Sequence, residues 1–161
     1  MVFDVDGVLT DGKLLYGPDG ETLKAFDVTD GLGIGLLRRA GCEVALLSGR
    51  SSAAVAARAK DLAIEHVLQG IDDKRAAFEA LIARLGMQPE EAGFMGDDLI
   101  DLPVLRRCGF ACAPPGAHDQ VRAAAHYVTR AQAGSGAARE VCEYLLGAQG
   151  RLDDALARYL A

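Results

Sequence analysis

The chain reads as an α/β fold built on a mainly parallel sheet, and three features of its 161 residues lead there. Short β-rich apolar runs alternate with longer stretches whose apolar residues recur at helical spacing. Several of the short runs end in acids, serine or glycine, as expected of strands that carry a binding crevice at their C-terminal ends. Half of the residues are hydrophobic, enough for a sizeable core in one domain spanning 1–161.

Taken in order, Val2 to Val5 is the first strand. Met1 stands only three residues before Asp4, so this strand is short and an earlier natural start is conceivable. KLLYGPDGETLKAF, over about 13–27, holds two strand-like halves around Gly17-Pro18-Asp19-Gly20, which predicts a β-hairpin inserted after strand one. A helix is expected from about Leu32 to Arg39, stopped by Gly41. Val44 to Leu47 is a buried strand, and Ser51 or Ser52 caps an alanine-rich helix through about Ala63. After a strand at His66 to Leu68, Asp72 or Asp73 opens a helix whose face is Ala77, Phe78, Leu81, Ile82 and Leu85, closed by Gly86. Ala92 to Met95 is a strand, followed by a short helix to about Cys108. Phe110 to Ala113 and Tyr127 to Thr129 are strands around a small helix. A helix follows Gly134-Ser135-Gly136 to about Leu146, a break falls at Gly147 to Gly150, and an amphipathic segment covers Leu152 to Leu160 in a tail of about 147–161.

The net charge of −6, from 17 Lys plus Arg against 23 Asp plus Glu, argues against broad binding of nucleic acid or an anionic membrane. No run of about 18 apolar residues is present to span a bilayer. Cys42, Cys108, Cys112 and Cys142 form no CxxC pair, and the spacer of Cys108 and Cys112 is apolar, which suits core thiols in a reducing cytoplasm. His66, His118 and His126 share no ligand spacing and read as surface or packing residues.

Chemistry gathers at the strand ends. Asp4-Val5-Asp6-Gly7 puts two carboxylates on one side of an extended segment, with Gly7 turning the chain at once. Such a pair stays ionised cheaply only around a cation, or else one member is protonated. Either state suits phosphoryl transfer, in which one carboxylate attacks phosphorus and the other moves the proton of the leaving group and of water. Acids recur at Gly96-Asp97-Asp98, where they also suit helix capping. Asp4, Asp97 and the backbone carbonyl of Asp6 together make a donor set of the hard oxygen type that Mg²⁺ prefers. Ser48-Gly49 at a strand-to-helix junction offers a hydroxyl and free amides to a phosphate. Lys74 falls in the first turn of a helix, where the dipole disfavours a cation, so it calls for an anionic partner.

FDVDGVLTDG, LLSGR, Lys74 and MGDDLID resemble, in order, the four motifs of the haloacid dehalogenase-like phosphohydrolases. Over nearly the whole chain, LKAFDVTDGLGI, LLSGRSS, VLQGIDDK, GDDLIDLPVL, YVTRAQAGSGAAREVCEYLL and AQGRLDDA resemble the 3-deoxy-D-manno-octulosonate 8-phosphate phosphatases of lipopolysaccharide synthesis. The resemblance implies a Rossmann-like parallel sheet sandwiched by helices, without a large cap domain. It implies Asp4 as nucleophile, Asp6 as acid/base, and Ser48 and Lys74 holding the transferred phosphoryl group. Mg²⁺ is implied on Asp4, Asp97 and the Asp6 carbonyl, and contacts to a sugar-acid phosphate at Asp27, Asp30, Gly31, Arg50 and Arg58. It further implies a cytoplasmic homotetramer in which hairpins pack together and a neighbour's tail closes the site.

Arg50 favours the octulosonate, because related nonulosonate 9-phosphate phosphatases tend to carry an acid there. Two departures weigh on the carry-over: Gly35 replaces a residue that is basic in many relatives, and Asp27 one that is often Asn. The competing readings are a nonulosonate 9-phosphate or broader sugar-phosphate phosphatase and, from another class, a non-catalytic oligomerisation module.

Overall fold

Alternation along the buried strands builds a sheet with two apolar faces. The computed structural model describes residues 1–160, and for Glu21 and Thr22 the backbone alone. The strands and helices run β1 (Val2–Phe3), β2 (Leu15–Gly17), β3 (Gly20–Leu23), α1 (Val28–Arg39), β4 (Ala45–Leu47), α2 (Ala53–Asp61), β5 (His66–Leu68) and α3 (Lys74–Arg84). They continue with β6 (Gly93–Met95), α4 (Leu102–Leu105), β7 (Phe110–Ala113), α5 (Asp119–Ala124), β8 (Tyr127–Val128), α6 (Ala137–Ala148) and α7 (Leu152–Leu160). Six strands form one sheet in the order β5-β4-β1-β6-β7-β8, every pair parallel, while β2 and β3 pair antiparallel outside it.

One face carries Phe3, Leu46, Met95 and Cys112, covered by α1, α2 and α6 through Ile34, Leu37, Val55, Val141 and Leu146. The other carries Val2, Ala45, Leu47, Phe94, Ala111 and Ala113, covered by α3, α4 and α5 through Phe78, Leu81, Leu105 and Val121. Neighbouring residues of one strand thus serve opposite layers, which is why these strands read as unbroken apolar runs. Among the described residues no helix is long and apolar enough to cross a membrane.

Several features differ from the sequence expectation; β1, for example, ends at Phe3 and not Val5, and α2 at Asp61 and not Ala63. α1 begins at Val28, not Leu32, because the Asp27 carboxylate accepts from the amides of Thr29 and Asp30 and caps the helix. Its glycines argue against a helix by propensity, yet a Cβ on Gly33 would lie 2.8 Å from the Arg139 Cα, so the close seam between α1 and α6 requires glycine there. Ser52 makes no side-chain cap; Gln69 Oε1 instead accepts from its amide at 2.8 Å. The segment after Asp98 is a 3-10 turn, Leu99–Asp101, followed by one helical turn, not one helix to Cys108. Gly147 lies inside α6, which runs on to Ala148.

Asp30 locks the α1–α6 seam. It is 3% exposed, and its carboxylate accepts from the Arg139 amide at 2.8 Å and the Gly136 amide at 3.4 Å at the start of α6. Burial pushes its carboxyl above the usual range, with those amides opposing the shift. Asp30→Ala leaves these amides without their acceptor, and the expected cost is about 2 kcal/mol. Urea unfolding should show it as a lowered midpoint with an unchanged slope.

Candidate active site

The chain steps from β1 out to β4 and β5, then crosses back to lay β6 on the other side of β1. The crevice at this reversal lies at the C-terminal ends of β4, β1 and β6, the place where open parallel sheets receive ligands. Ser48, Asp4 and Asp97 leave those three strands.

Asp4 extends the ladder by donating its amide to the Met95 carbonyl at 2.9 Å. Its Oδ1 accepts from the Val5 amide at 2.7 Å, and its Oδ2 lies 2.7 Å from Lys74 Nζ. The chain then turns sharply, with the amides of Val8, Leu9 and Thr10 converging on the Val5 carbonyl. Gly7 sits in this turn at φ +81°, and a Cβ there would lie 2.0 Å from Asp97 Oδ2. Glycine is therefore needed twice over, for the backbone and for the approach of Asp97.

Lys74 opens α3, whose cap is Asp73 through the Ala76 amide at 3.0 Å. The anion it requires is double: Asp4, and Asp101 Oδ1, also at 2.7 Å. Asp101 is fully buried, and its Oδ2 accepts from the amides of Asp97 at 3.0 Å and Asp98 at 3.2 Å. It thereby fixes the backbone that carries Asp97. Asp98 itself caps the 3-10 turn through the Leu99 amide, which is the capping role expected of these acids.

Carboxylate oxygens of Asp4, Asp97 and Asp101 lie within 4.8 Å of one another. Burial pushes the Asp4 carboxyl up to about 7, helped by Asp101 and opposed by Lys74. Burial likewise pushes Asp97 up to about 7, with Asp4 and Asp101 adding to it. Burial would pull Lys74 down, but Asp4 and Asp101 outweigh it and its ammonium is held above the ordinary range. Three carboxylates sharing one ammonium leave a deficit of positive charge, and the donors are all hard oxygens, so the residues fit Mg²⁺.

The haloacid dehalogenase-like hydrolase family matches residues 19–109. The 3-deoxy-D-manno-octulosonate 8-phosphate phosphatase of Yersinia pestis is 45% identical over 155 residues, 96% of this chain and 83% of that protein. The chain belongs to this family of haloacid dehalogenase-like phosphatases. It is a phosphoric monoester hydrolase. Among solved structures, a probable YrbI family phosphatase from Pseudomonas syringae superposes with a TM-score of 0.97 at 50% identity, covering 99% of this chain and 91% of that one. The 3-deoxy-D-manno-octulosonate 8-phosphate phosphatase of Moraxella catarrhalis, solved with magnesium, phosphate and KDO, gives 0.95 at 44% identity, covering 98% and 91%. These likenesses bear out the parallel sheet flanked by helices and the magnesium cofactor.

Within the hydrolase, the residues singled out by sequence fall into two groups. Asp4, Asp97 and Lys74 meet in the crevice, with Asp6 two residues beyond Asp4. Ser48 is buried at the neighbouring strand end, its Oγ accepting from the Arg50 amide at 3.3 Å. Arg50 reaches back, its Nε 4.0 Å from Asp6 Oδ2 and its Nη2 donating to Tyr16 Oη at 2.9 Å. Asp27, Asp30, Gly31 and Arg58 form a second group at the start of α1. There Arg58 donates to the Asp27 carbonyl at 3.0 Å and lies over the Phe26 ring, and a Cβ on Gly31 would sit 2.4 Å from its Nη2. The Asp30 carboxylate accepts from the Gly136 and Arg139 amides at the start of α6.

Sequence reasoning missed two charged residues. Asp101 had a signal: it lies three residues after Asp98, a capping-box spacing that joins the two acids. Lys24 had none, because only the folded hairpin brings it to Asp6.

Asp4 and Asp97 have raised values in the fold, so the stability they contribute is fully present below the unfolded value of 3.8 and lost as pH rises through about 7. The metal-free protein should therefore lose Tm from this site between about pH 4 and pH 7. Mg²⁺ competes with those protons, so the Tm gain on adding it should be larger at about pH 8 than at about pH 5. Differential scanning fluorimetry with EDTA and with Mg²⁺ measures both, and Asp97→Asn should flatten both responses.

Proposed function

We propose that the protein is a cytoplasmic phosphatase of lipopolysaccharide precursor synthesis. It hydrolyses 3-deoxy-D-manno-octulosonate 8-phosphate through an aspartyl phosphate on Asp4. The observation that carries the reading is Asp4 at the switch point, oriented by Lys74 at 2.7 Å, with the second carboxylate of Asp6 two residues beyond. Asp4, Asp97 and the Asp6 carbonyl would hold Mg²⁺, which when bound polarises a phosphoryl oxygen and offsets negative charge.

The chain's own groups then account for two steps. The Asp4 carboxylate attacks phosphorus as the bond to the sugar oxygen breaks, and Asp6 gives its proton to that departing oxygen. A sugar alkoxide is a poor leaving group, which is why a proton donor belongs at this position. Asp6, now a carboxylate, takes a proton from the water that attacks the aspartyl phosphate, releasing phosphate and restoring Asp4. Lys74 counters the charge of the transferred group, and the buried Ser48 hydroxyl with the amides behind it offers hydrogen bonds to its oxygens. Arg50 stands beside Asp6 on the side where the sugar leaves, and its guanidinium is suited to the carboxylate of a sugar acid.

Phosphate release from 3-deoxy-D-manno-octulosonate 8-phosphate should require Mg²⁺, cease with EDTA and fall by at least ~10³-fold in Asp4→Asn. Preference for a nonulosonate 9-phosphate would move the substrate but keep the mechanism. Absence of release from every phosphomonoester, by folded protein supplied with Mg²⁺, would overturn both.

Assembly into a homotetramer through the hairpin belongs to the same proposal. It is supported by exposed apolar side chains on and after the hairpin, Leu15 at 51%, Leu23 at 64% and Val28 at 78%. Light scattering should give four times the chain mass, and Leu15→Lys with Leu23→Lys should lower it.

A further inference from the structure

The hairpin inverts the usual pattern of a surface ribbon. Leu23 points outward, whereas the side chain of Lys24, the next residue, is 1% exposed. Burying an ammonium is costly unless it meets an anion, and Lys24 Nζ lies 2.5 Å from Asp6 Oδ1. A ribbon that needed only to pack would place the leucine inside and the lysine in water. The hairpin reaches the crevice a second time through the Tyr16 hydroxyl and Arg50, so Lys24 is held over the site and does not merely brush it.

The two oxygens of Asp6 are thereby made unequal. Oδ1 is taken by Lys24, while Oδ2 is buried and has no hydrogen-bond partner among the described residues, the Arg50 Nε standing 4.0 Å away. Resting on the acid/base reading of Asp6 above, we infer that Lys24 is a positioning residue. It pins Asp6 through Oδ1 so that Oδ2 alone carries the transferred proton. As Asp6 releases that proton to the departing sugar oxygen, charge grows on its carboxylate 2.5 Å from a fixed ammonium that needs no reorganisation. The return transfer, from water to Oδ2, leaves the pair as it began. Lys24 need not touch phosphorus; it acts through Asp6.

A lysine that only seats the hairpin and one that positions the acid differ in how their loss depends on the leaving group. The experiment measures kcat/KM, which reports steps through leaving-group departure, for 3-deoxy-D-manno-octulosonate 8-phosphate and for p-nitrophenyl phosphate, whose phenolate leaves with little help. Lys24→Met should lower the sugar-phosphate value by ~30-fold or more and the aryl value by ~3-fold or less. Lys24→Arg should recover part of the difference. In an Asp6→Asn background, Lys24→Met should add little on the sugar phosphate, since the two act as one unit. Equal losses on both substrates, no loss on either, or full additivity with Asp6→Asn would overturn the inference while leaving the phosphatase reading intact. A wild-type protein inactive on both substrates would strike at that reading instead. Should Lys24→Met fail to fold, Lys24→Gln and Lys24→Arg carry the same comparison.

Discussion

Three carboxylates crowd together at the head of the central strands, and one ammonium stands among them. Lys74 touches Asp4 and Asp101 at the same distance, 2.7 Å, and Asp97 completes the group. No arrangement of this kind is stable by accident, because each buried carboxylate repels the others and has given up water. The protein meets the cost with Lys74, with the amides of Val5, Asp97 and Asp98, and with room for a hard cation. The first turn of α3, which carries Lys74, the tight turn at Gly7 and the short 3-10 turn after Asp98 all serve to hold this group together.

The same electrostatics explains why the acids are divided in role. Asp101 is saturated by a lysine and two amides, so it works as a brace that shapes the loop around Asp97. Asp4 is gripped by Lys74 yet remains at the crevice, as the nucleophile proposed above must be. Asp6 lies past the strand, where it meets the hairpin and not the carboxylate group. The turn at Gly7 thus separates two carboxylates of one tripeptide into different environments, one facing Lys74 and the other Lys24. The hairpin brings charge to the edge of the site.

Much of this was legible in the chain. The strand ends at Asp4, Ser48 and Asp97 lie where apolar runs give way to polar residues, and that transition is local. Lys74 was legible by its misfit with the helix dipole, and the structure supplies the anions it called for. Asp30 was legible as an acid in a motif but not in its use, since only the approach of α6 brings the Arg139 and Gly136 amides to it. The start of α1 was obscured because the glycines that weaken the helix locally are those that let another helix draw close.

What the sequence by itself determined is what depends on neighbours along the chain: alternation of buried runs, the DxD spacing, the turn at Gly7 and the order of strand and helix. Tertiary structure alone decided what each charge meets. Lys24 and Asp6 are 18 residues apart, Lys74 and Asp101 27, and Asp30 and the Arg139 backbone amide 109. Each of these pairs forms because sheet order and helix packing bring distant segments together, and the free energy of burying a charge depends on that three-dimensional surrounding, which no local pattern encodes.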